Sequence, residues 1–344
     1  MTDRVGEGCD PELPTLARVV DLEEVQWHFG RGLPRLAGER GFIHLRGIRM
    51  TRLKPGRRAV LEYDVEVERP DRPPEHATLV GKVRRHRSGE SAFQLLVRLS
   101  GAGFAADCAD GISVPEPIGV VAPLQLWLQR KVPGHQATDL LSGPDRVALA
   151  RRIAAAAHKL HQAGVPPIRR HTMADELRVL SERLALVARA EPGWARRIER
   201  LLEASRRRAA ATPTLASRGV HRDFYADQVL VDGTRLWLLD FDLYCEADPA
   251  LDIGNFCGHV TEQSLRTLGD PAALADVEAA LEERFVELTG EAARPAVRAY
   301  AVLTLVRHIQ LSTQFADRRA CTGRLLELCE ERLGVAPQSR FASA

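Results

Sequence analysis

The sequence predicts an α+β chain in two parts: a small antiparallel β-rich part with one main helix, then a larger, mostly helical part. Three observations carry this. Between residues 48 and 67 apolar side chains follow the two-residue period of a strand with one buried face. Beyond Pro133 and Gly134 the composition shifts toward alanine, leucine and arginine, and apolar residues recur at helical spacing. Within that second part the stretch HRDFYADQVLVDGTRLWLLDFD, residues 221–242, sets two short extended runs about a DGT turn. At 344 residues the chain suits one large domain or two moderate ones. The expected divisions are a helical extension over 1–40, a β-rich unit over 41–132 and a helical unit over 133–340.

In order along the chain, Leu16, Val19, Val20, Val25 and Phe29 predict one short helix over 15–30, preceded by Pro14 and closed by Gly30. Ile48, Met50 and Arg52, the turn KPGR, then Val60, Leu61, Tyr63, Val65 and Val67 predict a hairpin. HATLVGKVRRH reads as the next strand. Ser88 is a candidate cap for a helix through Phe93, Leu96, Val97 and Leu99. GISVPEPIGVV and LQLWLQRKVPG are two further extended pieces. Long helices follow in PDRVALARRIAAAAHKLHQAGV and in a pair broken near EPGW, and again in DPAALADVEAALEERFVELTG and AVRAYAVLTLVRHIQLSTQF.

Composition narrows the class of function. With 48 basic against 46 acidic side chains the formal charge is +2, which gives no electrostatic reason to expect nucleic acid. The start, MTDRVGEGCDPELP, lacks the pattern of a secretory peptide, and no apolar run reaches membrane length. The six cysteines are scattered without CxxC pairs, against a zinc site or a disulfide framework. A cytoplasmic protein without a membrane partner is expected.

The chemistry is concentrated in residues 221–242. A hairpin there returns Asp240, at the end of its second run, toward Asp223 and Gln228, which precede the first. Two carboxylates and an amide oxygen are hard ligands of the kind magnesium takes alongside phosphate oxygens and water. His221-Arg222-Asp223 matches the catalytic-loop H-R-D of protein kinases; the amide follows five residues later, as Gln228 in place of asparagine, and the later aspartate stands in DFD in place of DFG. Asp232, Asp242 and Asp248 read as solvated turn residues.

On these residues the chain resembles the aminoglycoside phosphotransferase family, which includes choline and sugar kinases. Asp248-Pro249 with Asp252, and Leu160-His161 at the end of a helix, extend the resemblance, which spans roughly residues 40–330 and is most specific between 221 and 256. It implies a bilobal protein-kinase-like fold and transfer of a phosphoryl group from ATP or GTP, with Mg2+, to a hydroxyl of a small molecule such as a sugar or an aminoglycoside. It further implies that Asp223 is the catalytic base, that Gln228 and Asp240 hold the metal, and that His221 and Asp252 support the catalytic loop. The extra methylene of Gln228 moves its oxygen outward by about one bond length and adds a rotor. That leaves a second reading, a pseudokinase-like module that binds nucleotide or protein through an impaired metal site.

A kinase-like fold needs a lysine for the α and β phosphates and a glutamate to hold it. Lys82, inside an apolar strand pattern, and Glu90, at the start of the following helix, are the candidates; a solvated strand end and a dipole-favoured acid are the plainer alternatives. LQRKVPG resembles the family's interlobe linker, so the backbone groups of Gln129, Arg130 and Lys131 are expected at the adenine edge. GAGFAA at 101–106 mimics a dinucleotide fingerprint but follows a helix, and is set aside. His158 and His161 are read as core or cap residues. Glu262, Asp270, Glu278 and Glu282 either meet a cationic acceptor or form a solvated helix face. The sequence is silent on oligomeric state.

Overall fold

In a computed structural model that describes residues 10–85 and 89–335, the alternation at 48–67 becomes a long hairpin. Strands β1 (Phe42–Lys54) and β2 (Arg58–Arg69) pair antiparallel, and β3 (Arg72–Arg84) pairs with β2 in turn. On β2 the buried positions are Ala59, Leu61, Tyr63, Val65 and Val67, the one-face pattern that the period requires. The chain divides into two units. One runs to Pro133 and takes in Trp237–Leu239; the other holds Gly134–Leu236 and continues from Asp240.

In the first unit the single helix expected over 15–30 is instead two, α1 (Leu16–Val19) and α2 (Leu22–Gly32), and a short α3 (Pro34–Ala37) follows them. The break falls at Asp21, which is extended and accepts the Glu24 amide at 2.8 Å, so a local cap competes with continued helix. These helices share the sheet's core: the Tyr63 hydroxyl donates to Val19 O at 3.0 Å, and its ring meets Phe29 edge-on at 5.1 Å. Helix α4 (Glu90–Leu99) follows; Ser88, the expected cap, lies outside the described residues, and Gly89 stands at the cap position. Next come β4 (Ile112–Ser113), β5 (Pro117–Val121) and β6 (Leu126–Arg130), giving a five-stranded sheet in the order β1-β2-β3-β6-β5. The GAGFAA segment continues from α4 as a wide turn, Ser100–Phe104, in keeping with its dismissal as a nucleotide loop.

The second unit begins with β7 (His135–Gln136) and α5 (Ala137–Leu140). Three helices follow: α6 (Arg146–Gln162), α7 (Met173–Ala190) and α8 (Ala195–Ala210), the last two separated by a tight turn at Pro192–Trp194 where EPGW stands. The short strands are β8 (Arg218–Val220), β9 (Val229–Asp232), β10 (Arg235–Leu238) and β11 (Cys245–Ala247), with β9 pairing β7 and β11 pairing β8. Helices α9 (Ala250–Leu268), α10 (Ala275–Thr289), α11 (Arg294–Gln314), α12 (Ala316–Arg319) and α13 (Thr322–Arg332) complete it. Leu180, Leu184, Ile198, Leu201, Leu265, Leu303 and Leu326 form part of a core shared by α7, α8, α9, α11 and α13. Helices α9 and α11 approach closely because Gly254 and Gly258 face α11: a Cβ at Gly254 would lie 2.4 Å from Tyr300 Cβ, and one at Gly258 2.7 Å from Thr304 Cβ. Among the described residues no helix is long and apolar enough to cross a membrane.

Candidate active site

The segment between β8 and β9 is fixed from beneath by the start of α9. Asp252 is fully buried there, and its carboxylate accepts the backbone amides of His221 at 2.9 Å and Arg222 at 2.7 Å, together with His161 Nε2–H at 2.9 Å. A buried carboxylate is tolerable only when its lone pairs are met in this way. Asn255, one turn along α9, donates to Phe224 O at 2.9 Å. The His221 ring packs at 4.8 Å from Phe241 and 5.6 Å from Phe224, so it fills the floor of the loop.

Two residues of this region are held in left-handed backbone, Arg222 at φ 69° and Asp240 at φ 55°. Neither is glycine, and such conformations cost on the order of 1–3 kcal/mol, persisting where the surroundings over-determine them. Here the Asp252 bonds do so for Arg222.

Tyr225 is a residue that the sequence reading passed over, and it reports how the polar groups meet. Burial, aided by the charges of Asp223, Asp227 and Asp240, pushes its hydroxyl up to about 12, with the Gln228 side chain acting in the opposite sense. Asp223, Asp227 and Asp240 thus lie near enough for their charges to act on one phenol. The ring is clamped by His259, stacked at 4.4 Å and 17°, which in turn meets His308 edge-on at 4.4 Å. Asp240 and Gln228 offer hard oxygens beside crowded negative charge, a donor set that fits magnesium in chemistry. Among the described residues no three His, Cys, Asp or Glu side chains gather as ligands, so the pair would rely on phosphate oxygens and water for the rest of the shell.

The other expected residues lie in the first unit. Lys82 on β3 is in register with Val60 and Trp127, and its Nζ lies 5.1 Å from the Trp127 ring centroid. Gly89, at φ 77°, presses on the same ring, where a Cβ would come within 2.5 Å, so Trp127 is a common neighbour of Lys82 and of the residue preceding Glu90. Glu90 opens α4 and accepts from Gln94 at 2.9 Å. Gln129 is buried in β6. The Arg130 amide donates to Glu116 O at 2.9 Å and the Lys131 amide to Thr78 O at 2.8 Å, so both are already bonded within the first unit. Their side chains are paired too, Arg130 with Glu75 and Glu116, Lys131 with Glu62.

Of the three aspartates read as solvated, Asp232 is exposed at its turn and Asp242 is half-buried. Asp248 is a correction: it is 8% exposed, accepting Ala250 N at 2.9 Å and Leu215 N at 3.2 Å, because it caps the entry to α9; burial pushes its carboxyl up. His161 is a core residue as read, and its partner is Asp252, 91 positions away. The acids of the last helices are engaged by the chain itself: Glu262 by Arg266, Glu278 by Thr261, Glu282 by Arg294 and Arg298, while Asp270 accepts Ala272 N.

Comparison with known proteins gives the family and the fold. The profile of the phosphotransferase enzyme family (APH) matches residues 69–300. Among solved structures, a choline/ethanolamine kinase family protein from Mesorhizobium loti is 18% identical over 92% of this chain and 95% of its own, with a TM-score of 0.57. A protein assigned as an aminoglycoside phosphotransferase from Ralstonia eutropha is 16% identical over 92% of this chain and 99% of its own, at 0.60. A thermostable mutant of aminoglycoside phosphotransferase APH(4)-Ia, crystallised with AMP-PNP and hygromycin B, is 16% identical over 86% and 95%, at 0.55. These likenesses establish a protein-kinase-like α+β fold. No curated protein sequence matches the chain.

Proposed function

Because the chain belongs to the phosphotransferase enzyme family, and is on that ground a small-molecule phosphotransferase, we propose that it moves the γ-phosphoryl group of ATP or GTP onto a hydroxyl, with Asp223 receiving the proton. The observation that carries this reading is the His221-Arg222-Asp223 loop pinned by the buried Asp252, with the charges of Asp223 and Asp240 both acting on Tyr225. AMP-PNP and hygromycin B in a structure of the same fold support a nucleotide donor and a hydroxylated acceptor.

In the proposed reaction the acceptor oxygen attacks the γ-phosphorus, the bond from that phosphorus to the β–γ bridging oxygen breaks, and the nucleoside diphosphate leaves. Asp223 orients the attacking hydroxyl and takes its proton, a role that supplies roughly 10²- to 10⁴-fold in rate. Gln228 and Asp240 would hold Mg2+, which when bound neutralises charge on the phosphates. Lys82 is assigned to the α and β phosphates, with Glu90 as its partner, and Gln129 to Lys131 to the adenine edge, through groups other than the two bonded amides.

The competing reading, a nucleotide-binding or protein-interaction module, rests on Gln228 standing where the family has asparagine. Against it, Asp223, Asp240 and Lys82 are all retained, a set that a module without chemistry has no use for. Calorimetry with ATP, with and without magnesium, followed by a phosphate-transfer screen over sugars, aminoglycosides and choline-like alcohols, separates the two. Magnesium-dependent binding with transfer supports the enzyme; binding indifferent to magnesium, with no transfer to any alcohol, supports the module.

A further inference from the structure

We propose that the acceptor is an anion: the hydroxylated substrate carries a carboxylate or phosphate that Arg183 binds, with Arg222 and Arg307, beside Asp223. This rests on the phosphotransferase reading and adds to it the charge of the substrate.

Glu176 and Arg183 stand seven residues apart on α7, two helical turns, and so share a face of that helix. Glu176 is buried and fully engaged: its carboxylate is 2.5 Å from His171 Nε2 and 3.5 Å from Arg307. Burial opposes its ionisation, yet the His171 hydrogen bond and the Arg307 charge hold its carboxyl below the usual range. Arg307 is also committed, donating to Asn255, the residue that holds Phe224 O. Arg222 is fixed by its amide bond to Asp252, and its Nε is buried without a hydrogen-bond partner.

Arg183 differs from its neighbours. It is half-buried and makes no ion pair or hydrogen bond with any described residue. Burial, then the charges of Arg307 and Arg222, push its guanidinium down, while Glu176 and Asp223 act in the opposite sense. A partly desolvated cation amid two others, with one carboxylate of the group already claimed by His171 and Arg307, is a site that an anion relieves. The acids of the later helices that could have met a cationic acceptor are already paired, Glu262 with Arg266, Glu278 with Arg332, and Glu282 with Arg294 and Arg298.

The test is a transfer assay over matched acceptors: a neutral sugar, the corresponding aldonic acid, its phosphate monoester, and a polycationic aminoglycoside. The carboxylate and the phosphate arms distinguish which anion is taken. At least one anionic acceptor is predicted to exceed the neutral sugar in kcat/KM by about tenfold or more, the worth of one charge-assisted bidentate contact. Arg183→Met should raise KM for that acceptor and erase its preference over the neutral sugar, and Arg183→Lys should restore part of it. Preference for the neutral sugar or the aminoglycoside, or an R183M variant with unchanged discrimination, overturns the proposal while leaving phosphoryl transfer standing. Absence of transfer to every acceptor would instead sink the functional reading. The anion site is then decided by calorimetric titration with sulfate: weaker binding to R183M than to the wild type supports it, and equal or no binding refutes it.

Discussion

At the scale of single residues, Asp252 and Tyr225 make the sharpest predictions. Asp252→Ala removes the acceptor for two buried amides and a buried histidine, and stability should fall by about 3–5 kcal/mol in denaturant unfolding. Tyr225→Phe deletes one buried hydroxyl near Asp223 and Asp240. Magnesium-dependent ATP binding should weaken about two- to tenfold by calorimetry, with little change in Tm, the scale of one neutral polar group. Asp223, Gln228 and Asp240 could be picked out from the sequence because their spacing brackets a hairpin, whose ends must meet; Asp252 came from the family resemblance. Tyr225, Arg183 and Arg307 could not. Tyr225 and Arg307 act through neighbours on another helix and Arg183 through its lack of a partner, and periodicity carries no information about either, or about contacts such as His161 to Asp252, 91 positions apart.

Among the elements, helix entries and one helix crossing carry the load. Helix α7 opens with a capping box in which Thr172 Oγ1 accepts the Asp175 amide and Asp175 returns a bond to the Thr172 amide. Thr172→Ala should cost about 1 kcal/mol. The Thr172 hydroxyl, donating to the Asp175 carboxylate at 2.7 Å, and then the Thr172 amide depress that carboxyl to about 2. Its contribution is therefore present above the unfolded value near 3.8 and is lost as pH falls toward 2, so the gap between Asp175→Asn and the wild type should narrow between pH 4 and pH 2 in acid unfolding curves. At the α9–α11 crossing, Gly254→Leu forces atoms into Tyr300 and should destabilise by about 1–3 kcal/mol or more. The strands and long helices were legible because period two and helical spacing are local. The leading helix was misjudged because the Asp21 cap, a short-range side-chain bond, outweighed an apolar pattern that ran through it. Asp248 was misjudged because an Asp-Pro looks like a solvated turn unless the next helix is known to bury it.

For the whole molecule, two units joined through residues 131–134 and again near 237–240 carry the proposed nucleotide groups and the proposed catalytic groups on separate cores. Magnesium with ATP should raise the melting temperature by mass action, about 2.7 kcal/mol at a nucleotide concentration of 100 Kd. Omitting magnesium, or the Asp240→Asn exchange, should remove most of that gain in a thermal scan. The division into a β-rich and a helical part was readable from the composition shift after Pro133; the return of Trp237–Leu239 to the first unit was not, since it depends on where a hairpin strand packs. The account stands most directly on Asp223, and release of γ-phosphate from ATP with magnesium tests it without knowing the acceptor. Slow release by the wild type, reduced about 10²- to 10⁴-fold in Asp223→Ala, is the predicted result; equal release by both proteins would contradict it.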